Sequence, residues 1–409
     1  MSQLTPPEGT GTVAAKRFTF APRMAKTPKS FIREILKVTE RPEVISFAGG
    51  LPSPALIDVE GIRAATVSVL EQDGQVALQY STTEGYLPLR QFIADRYRSR
   101  LGLQVSPDEI LITNGSQQCL DLIGKVIIGT GDHVGIERPG YLGAIQAFSL
   151  YEPVFHPVTL HNDGPDREEL EAACRASPVK MFYGVPNSQN PSGITYSESC
   201  RKEVARIMEE NGGLFVEDDA YGELNFSGSS MPSIRSFLPG QTVITGSFSK
   251  ILAPGMRMGW VVAPPAIMEQ LVIAKQASDL HSNYLSQRIA YEYLSHQDID
   301  SHIRKIRRAY RHQRDIMIRM LEEKFPESVS YTCPLGGMFV WITLPPGCSS
   351  MAVFESALKK NVAVLPGLPF YVDGGGSNTL RLNFSNSTPD DIEEGMKRLA
   401  GVIMEMCIQ

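Results

Sequence analysis

The sequence predicts an α/β protein with a largely parallel, covered sheet and a second, smaller α+β unit at its C-terminal end. Two features carry this expectation. Between residues 91 and 245, short apolar runs alternate with amphipathic segments, the rhythm of strand–helix crossovers whose strands are buried on both faces. After residue 280 the rhythm changes to a long Arg/Lys-rich helical zone followed by more widely varied strand and helix patterns. At 409 residues the chain is also too long for one small core. The expected boundaries are 1–50 for an N-terminal arm with a short helix, 51–290 for a large unit and 291–409 for a small one.

Taken in order, residues 1 to 27 carry Pro, Gly and basic side chains without periodicity and are expected to be mobile. Ser30 to Glu40 reads as a short helix, with Phe31, Ile35 and Leu36 on one face and Ser30 as N-cap. An apolar stretch, Val44 to Phe47, leads into a Gly-Gly-Leu-Pro turn at 49–52. Helices are predicted over Gln91–Arg100, Gln117–Ile128, Leu142–Leu150 and Ser197–Glu210. Strands are predicted over Glu109–Thr113, His133–Ile136, Met181–Val185, Leu214–Glu217 and Thr242–Thr245. The later zone reads as one helical stretch, Tyr284–Lys324. Strands follow at Ser328–Cys333, Met338–Leu344, Ala363–Leu365 and Leu380–Phe384, with helices at Ala352–Lys360 and Asp390–Met406.

Composition excludes several classes of function. Hydrophobic residues make up 42% and charged residues 21%, and the net charge of −6 leaves no basic surface for nucleic acid or anionic lipid. No apolar run approaches the roughly 20 residues of a membrane span, and Met1 to Thr12 lacks the apolar core of a signal peptide. A cytoplasmic protein is expected. The six cysteines, at 119, 174, 200, 333, 348 and 407, form no C-x-x-C pair and stand near no His run, so no metal site is expected. Most of them should be buried, reduced side chains.

The most informative stretch is Ser247-Phe248-Ser249-Lys250, followed by Gly255, Arg257 and Gly259. A lysine just after a strand, beside two hydroxyls and a guanidinium, is suited to bind a carbonyl compound that carries a phosphate. Asp218-Asp219-Ala220-Tyr221 ends another strand. A carboxylate there can keep a pyridine nitrogen protonated, the condition under which pyridoxal 5′-phosphate (PLP) withdraws electrons. Asp218 is the better candidate, because alternation along a strand turns Asp219 to the opposite face. Asn190, in Pro186-Asn187-Ser188-Gln189-Asn190-Pro191-Ser192-Gly193, offers an amide to the ring's phenolic oxygen, and Tyr221 offers a hydroxyl. Ser116 and Gln117 open a predicted helix, where free N–H groups favour an anion. Tyr141 could stack on the ring or serve as a core aromatic.

Together these residues resemble the class I/II aminotransferases of PLP fold type I, and most closely the 2-aminoadipate and kynurenine/α-aminoadipate aminotransferases. The resemblance spans Ser30 to Ile403. It rests on S-F-A-G-G-L-P at 46–52, L-Q-Y-S at 78–81, G-S-Q-Q at 115–118, P-N-x-x-N-P-S-G at 186–193, E-D-D-A-Y at 217–221, S-F-S-K with Arg257, and Arg381 in T-L-R-L-N-F-S. It implies an aspartate-aminotransferase-like fold and PLP held as a Schiff base on Lys250, which would shuttle the proton of catalysis. Asp218 would bind the pyridine nitrogen, and Asn190 and Tyr221 the phenolic oxygen. Ser116, Gln117, Ser247, Ser249 and Arg257 would surround the phosphate, and Tyr141 the ring. Arg381 would clamp the substrate α-carboxylate, with Gly50 and Asn190 beside it. Tyr80 would reach into the site of a second subunit, which makes a homodimer the expected unit. Arg33, in Ile32-Arg33-Glu34, would read a distal carboxylate, unless it is an exposed helix arginine. The chain reads Asn-Pro-Ser-Gly where many relatives have Asn-Pro-Thr-Gly, a change that keeps the hydroxyl.

Glutamate and 2-oxoglutarate are the expected donor and acceptor, with aminoadipate, aromatic and branched-chain amino acids open as second substrate. Two other readings compete. One is a PLP-dependent lyase or decarboxylase on the same fold, since the bond broken at Cα depends on geometry the sequence does not fix. The other is the sensor domain of a transcription regulator, for which the 30 residues before the resemblance show no helix-turn-helix pattern.

Overall fold

The computed structural model describes residues 19–26 and 41–407. The predicted helix Ser30–Glu40, Arg33 within it and most of the stretch expected to be mobile lie outside the described residues.

The centre of the molecule is an eight-stranded sheet. Its strands run in the order Ile110–Thr113, Gly259–Val262, Thr242–Ser247, Leu214–Asp218, Val179–Gly184, His133–Arg138, Val154–His161 and Gly164–Pro165. The pairs from Thr242–Ser247 through to Val154–His161 are all parallel. Gly259–Val262 runs antiparallel between its two neighbours, and Gly164–Pro165 is antiparallel at the far edge. Every residue of Ile110–Thr113, Leu214–Asp218 and Thr242–Ser247 is buried. Successive side chains of a strand point to opposite faces, so these strands are covered on both sides, as their unbroken apolar runs predict. Parallel alignment brings the carboxyl ends of the strands to one edge, where Asp218, Ser247 and Val185 emerge together.

Several elements lack the expected pattern. The helix Val59–Ala77 buries Ala65, Val69 and Ala77 but exposes Val59, Val67 and Val76, so apolar residues mark the wrong face. The helix Pro265–Asp279 buries a lysine, Lys275, alongside Met268 and Leu271. The helical zone after 280 is two helices, Tyr284–His296 and Ile299–Lys324, divided where Asp298 caps the second by accepting from Ser301 N.

The C-terminal part carries an antiparallel four-stranded sheet in the order Ser330–Tyr331, Phe339–Thr343, Thr379–Asn383, Leu365–Pro366. The helices Ser350–Lys359 and Pro389–Cys407 accompany it. The short strand Ile45–Ser46 pairs in parallel with Val362–Ala363. Phe47 extends that seam, donating its N–H to Ala363 O and accepting from Asn383 N, each at 2.8 Å. The arm segment is therefore stitched to the C-terminal strands before it reaches the centre of the molecule.

One expectation is corrected here. Cys348 and Cys407 form a disulfide that ties the last helix to the loop before Ser350–Lys359, so the reduced state fits Cys119, Cys174, Cys200 and Cys333 only. The first three of these are buried and Cys333 is exposed. Among the described residues no helix is long and apolar enough to cross a membrane, and no cluster of metal-ligating side chains occurs.

Candidate active site

A cavity of about 370 Å³ opens between the carboxyl edge of the large sheet and the C-terminal strands. Gly50, Ser116, Gln117, Tyr141, Asn190, Asp218, Tyr221, Ser247, Ser249, Lys250, Arg257 and Arg381, all singled out from the sequence, line it. Tyr80 does not. It stands on the surface, 78% exposed, with its ring edge-on to His281.

Lys250 closes a short 3₁₀ turn after the strand Thr242–Ser247, which aims its side chain into the cavity. Its Nζ donates to Gly50 O at 3.0 Å. Burial, with the Arg381 and Arg257 guanidinium groups adding repulsion, lowers its pKa to about 8. A neutral amine is thus accessible near physiological pH, as nucleophilic attack on a carbonyl requires.

Asp218 ends the strand Leu214–Asp218 and is 3% exposed. Its Oδ2 accepts from the Tyr183 hydroxyl at 2.7 Å, while its Oδ1 is buried without a partner. Burial raises its pKa to about 6, and the Tyr183 hydrogen bond opposes that rise. A buried carboxylate oxygen without a donor is costly unless something else supplies one. Asp219 turns away, as alternation predicts, and accepts from Asn187 Nδ2 at 2.7 Å.

The anion-binding side is built by close backbone approach. Gly115 has φ +77° and caps the helix Ser116–Ile127 with no side chain, so the first N–H groups of that helix stay open to a ligand. A Cβ at Gly115 would lie 2.6 Å from Arg257 Nη2, so glycine is what lets the guanidinium close over the turn. Arg257 itself has φ +52°, a conformation that costs a non-glycine residue about 1 kcal/mol or more.

On the opposite wall Arg381 is wholly buried. Its Nη1 donates to Asn190 Oδ1 at 2.9 Å and its Nη2 to Ala48 O at 2.7 Å, while Nε is buried without a partner. The guanidinium lies 4.3 Å from the Phe339 ring and 5.4 Å from Phe370. Burial pulls its pKa down to about 10, so it stays cationic in neutral solution. No carboxylate pairs with Arg381 within hydrogen-bond distance among the described residues, which suits it to an incoming one. Burial pushes the Tyr141 hydroxyl up to about 12 and Tyr221 higher still, so both remain donors.

Three contributors were not evident from the sequence. Tyr183 lies inside an apolar strand and reads as a core aromatic, as do Phe339 and Phe370. The only hint for Tyr183 is its place in the strand just before the Asn190 loop.

The donors in the cavity match PLP group for group. A lysine amine suits an aldehyde, an orphaned carboxylate oxygen suits a protonated ring nitrogen, and an open helix N-terminus with an arginine suits a phosphate. The family model for aminotransferase class I and II matches residues 44–399.

The chain belongs to the class I and II aminotransferases.

A 2-aminoadipate transaminase from Thermus thermophilus is 44% identical over 375 residues, covering 90% of this chain and 92% of that protein. Aromatic-amino-acid aminotransferase 1 from Thermococcus litoralis is also 44% identical, over 92% of each chain. The crystal structure of the α-aminoadipate aminotransferase LysN from Thermus thermophilus, complexed with N-(5′-phosphopyridoxyl)-L-leucine, superposes with a TM-score of 0.89 at 41% identity. The match covers 94% of this chain and 97% of that one. This aminotransferase is therefore PLP-dependent and has the aspartate-aminotransferase-like PLP fold type I. Lyase and regulator readings are not favoured.

Proposed function

We propose that this aminotransferase exchanges amino groups between the glutamate/2-oxoglutarate pair and a second amino acid of the aminoadipate, aromatic or branched-chain classes. The carrying observation is Arg381, a buried guanidinium with a free Nε between two phenyl rings on the cavity wall. Every substrate in these classes shares an α-carboxylate, and a planar fork held this way recognises that group whatever the side chain. Apolar Val185 and Phe339 line the same cavity, which favours tolerance toward aliphatic and aromatic side chains. Relatives named for 2-aminoadipate and for aromatic amino acids stand at equal identity to the chain, in keeping with that breadth.

Bound in the cavity, PLP supplies an aldehyde that condenses with amines and a ring that withdraws electrons from the substrate Cα. In this reading Asp218, whose Oδ1 has no partner in the chain, would hold the ring nitrogen, and Asn190 and Tyr221 would hold the phenolic oxygen. Ser116, Gln117, Ser247, Ser249 and Arg257 would hold the phosphate, and Tyr141 would lie against the ring. Lys250 Nζ, neutral in part because its pKa is lowered to about 8, takes the proton from the substrate Cα and returns it on the other side of the transfer. Arg381 and Asn190 orient the substrate, with the Gly50 carbonyl beside the amine.

The unit is proposed to be a homodimer. Val76, Leu78 and Tyr80 are exposed apolar side chains at the end of the helix Val59–Ala77 and just beyond it, the composition of a covered face. Tyr80 would enter the neighbouring site from there. The chain is proposed to divide into an arm (1–50), a large unit (51–290) and a small unit (291–409). A cytoplasmic location fits four free cysteines, although the Cys348–Cys407 bond runs against it.

The test is to mix the PLP-loaded enzyme with glutamate, 2-aminoadipate, leucine, phenylalanine and kynurenine in turn. Loss of the visible cofactor band and release of the matching 2-oxo acid are expected for glutamate and at least one other. Carbon dioxide or ammonia in place of the 2-oxo acid would refute the reading. Arg33→Ala should lower the kcat/KM ratio of glutamate to leucine; an unchanged ratio would remove Arg33 from the site.

A further inference from the structure

Behind the turn Asn114–Gln118, away from the cavity, a group of polar side chains converges on a single ion pair. Lys275 is fully buried in the helix Pro265–Asp279, and its Nζ donates to Asp279 Oδ1 at 2.8 Å and to Gln118 Oε1 at 2.9 Å. Asp279 Oδ2 accepts from Asn114 Nδ2 and from Gln118 Nε2, each at 2.6 Å. Gln118 Oε1 accepts in addition from the backbone N–H of Asn114 at 2.8 Å. The two residues that bracket Gly115, Ser116 and Gln117 are thus tied to one carboxylate, while Ser116 and Gln117 themselves line the cavity.

The backbone next to this carboxylate is strained. Leu280 has φ +67° and ψ −60°, with His281 N donating to Asp279 O at 2.8 Å, a three-residue turn of the rare form that a leucine seldom adopts. Its side chain is 48% exposed, so packing of the leucine does not explain the conformation. The turn Asn114–Gln118 is also backed by Gly259, where a Cβ would lie 2.7 Å from the Gly115 carbonyl carbon. The turn is fixed from both sides.

We propose that Lys275, Asp279 and Gln118 are positioning residues for the cofactor phosphate, aligning the Ser116–Gln117 backbone and hydroxyl without touching the cofactor. The inference rests on the reading that Ser116, Gln117, Ser247, Ser249 and Arg257 hold that phosphate. An N–H cluster binds an anion well only when its donors converge within normal hydrogen-bond geometry, and the ion pair removes the freedom that would blur them. The buried Lys275 ammonium and the half-buried Asp279 neutralise each other, and Asp279 Oδ2 accepts from both amides and, at 3.1 Å, from Lys275 Nζ as well.

The experiment compares binding of PLP with binding of pyridoxal, which lacks the phosphate, to the full-length protein freed of cofactor. Asp279→Asn keeps the shape but removes the charge. Gln118→Met leaves the ion pair in place and removes only the tie, so it remains informative if the first variant folds poorly. Each should raise the Kd for PLP by about 10- to 100-fold, the range for lost hydrogen bonds to a charged group, while the Kd for pyridoxal changes less than about threefold. Arg257→Gln is the control for the underlying reading, and it should show the same split. If Arg257→Gln weakens both ligands equally, the phosphate assignment fails. If Arg257→Gln shows the split while folded Asp279→Asn and Gln118→Met weaken both ligands alike, or neither, the positioning role is overturned.

Discussion

The two walls of the cavity hold their charged groups by different means. On the wall formed by the large sheet, Asp218 is fixed by another side chain, the Tyr183 hydroxyl, and within the same sheet, outside the cavity lining, Glu137 is wrapped by Tyr196, by Gln189 and by the Val185 N–H. On the wall formed by the arm and the C-terminal strands, Arg381 is held by a main-chain carbonyl, the Asn190 amide and two aromatic faces. The first wall is a network of mutually dependent polar groups in which one lost hydroxyl leaves a buried partner unmet. The second is a cation lodged among apolar surfaces, with donors left over for a substrate. A constant cofactor wants the first kind of wall, and substrates of varied shape are better met by the second.

Four substitutions would break or sharpen this contrast. Lys250→Ala spans both walls, since it removes the amine that donates to Gly50 O. Turnover should fall by at least about 10⁴-fold, and borohydride should no longer fix the cofactor to the peptide bearing this position. Arg381→Met strikes the second wall alone. It should lower kcat/KM for all amino acids by about 10²- to 10³-fold, with PLP affinity unchanged in an apo-protein titration; a parallel loss of PLP affinity would erase the division between the walls.

Tyr183→Phe strikes the first wall. A buried hydrogen bond to a carboxylate is worth about 1.5–3 kcal/mol, so kcat should drop by about tenfold or more. Because that hydroxyl lowers the Asp218 pKa, its removal should carry the carboxyl above about 6, and the acid limb of PLP binding should move to higher pH. An unmoved limb would take Tyr183 out of the account.

The smallest effect concerns Glu137, whose pKa burial raises from 4.5 to about 7. A carboxyl raised in this way stabilises the fold fully below its unfolded pKa, and that contribution disappears as pH rises through about 7. Glu137→Gln should therefore flatten the fall in Tm between pH 5 and 8 by a few degrees in scanning calorimetry. A slope equal to that of the parent would show that Glu137 titrates normally in the fold.

The residues that announced themselves in the sequence share a physical setting. Lys250, Asp218, Asn190 and Ser116 sit where a buried strand meets a turn, so a polar or glycine-rich motif interrupts an apolar run and stands out. Tyr183 and Phe339 lie within their runs and look like ordinary core. Lys275 interrupted the pattern of its own helix and concealed both the element and its role. The helix Val59–Ala77 escaped notice because its larger apolar side chains face outward, where periodicity assigns the solvent. Tyr80 and Arg33 depended on the resemblance alone; Tyr80 is absent from the cavity lining, and Arg33 lies outside the described residues.

Ala48 and Gly50 meet Arg381 and Lys250 through carbonyl oxygens of the chain itself. No single replacement of a side chain in this bend can delete those acceptors. Leu51, half exposed at the end of the bend, can vary while the lysine and the arginine keep their resting contacts, whereas Ala48 is fully buried and a Cβ at Gly50 would lie 3.3 Å from the Phe339 ring. Such a bend is fertile ground for drift from one substrate to another, and for deliberate redesign of preference without rebuilding the chemistry.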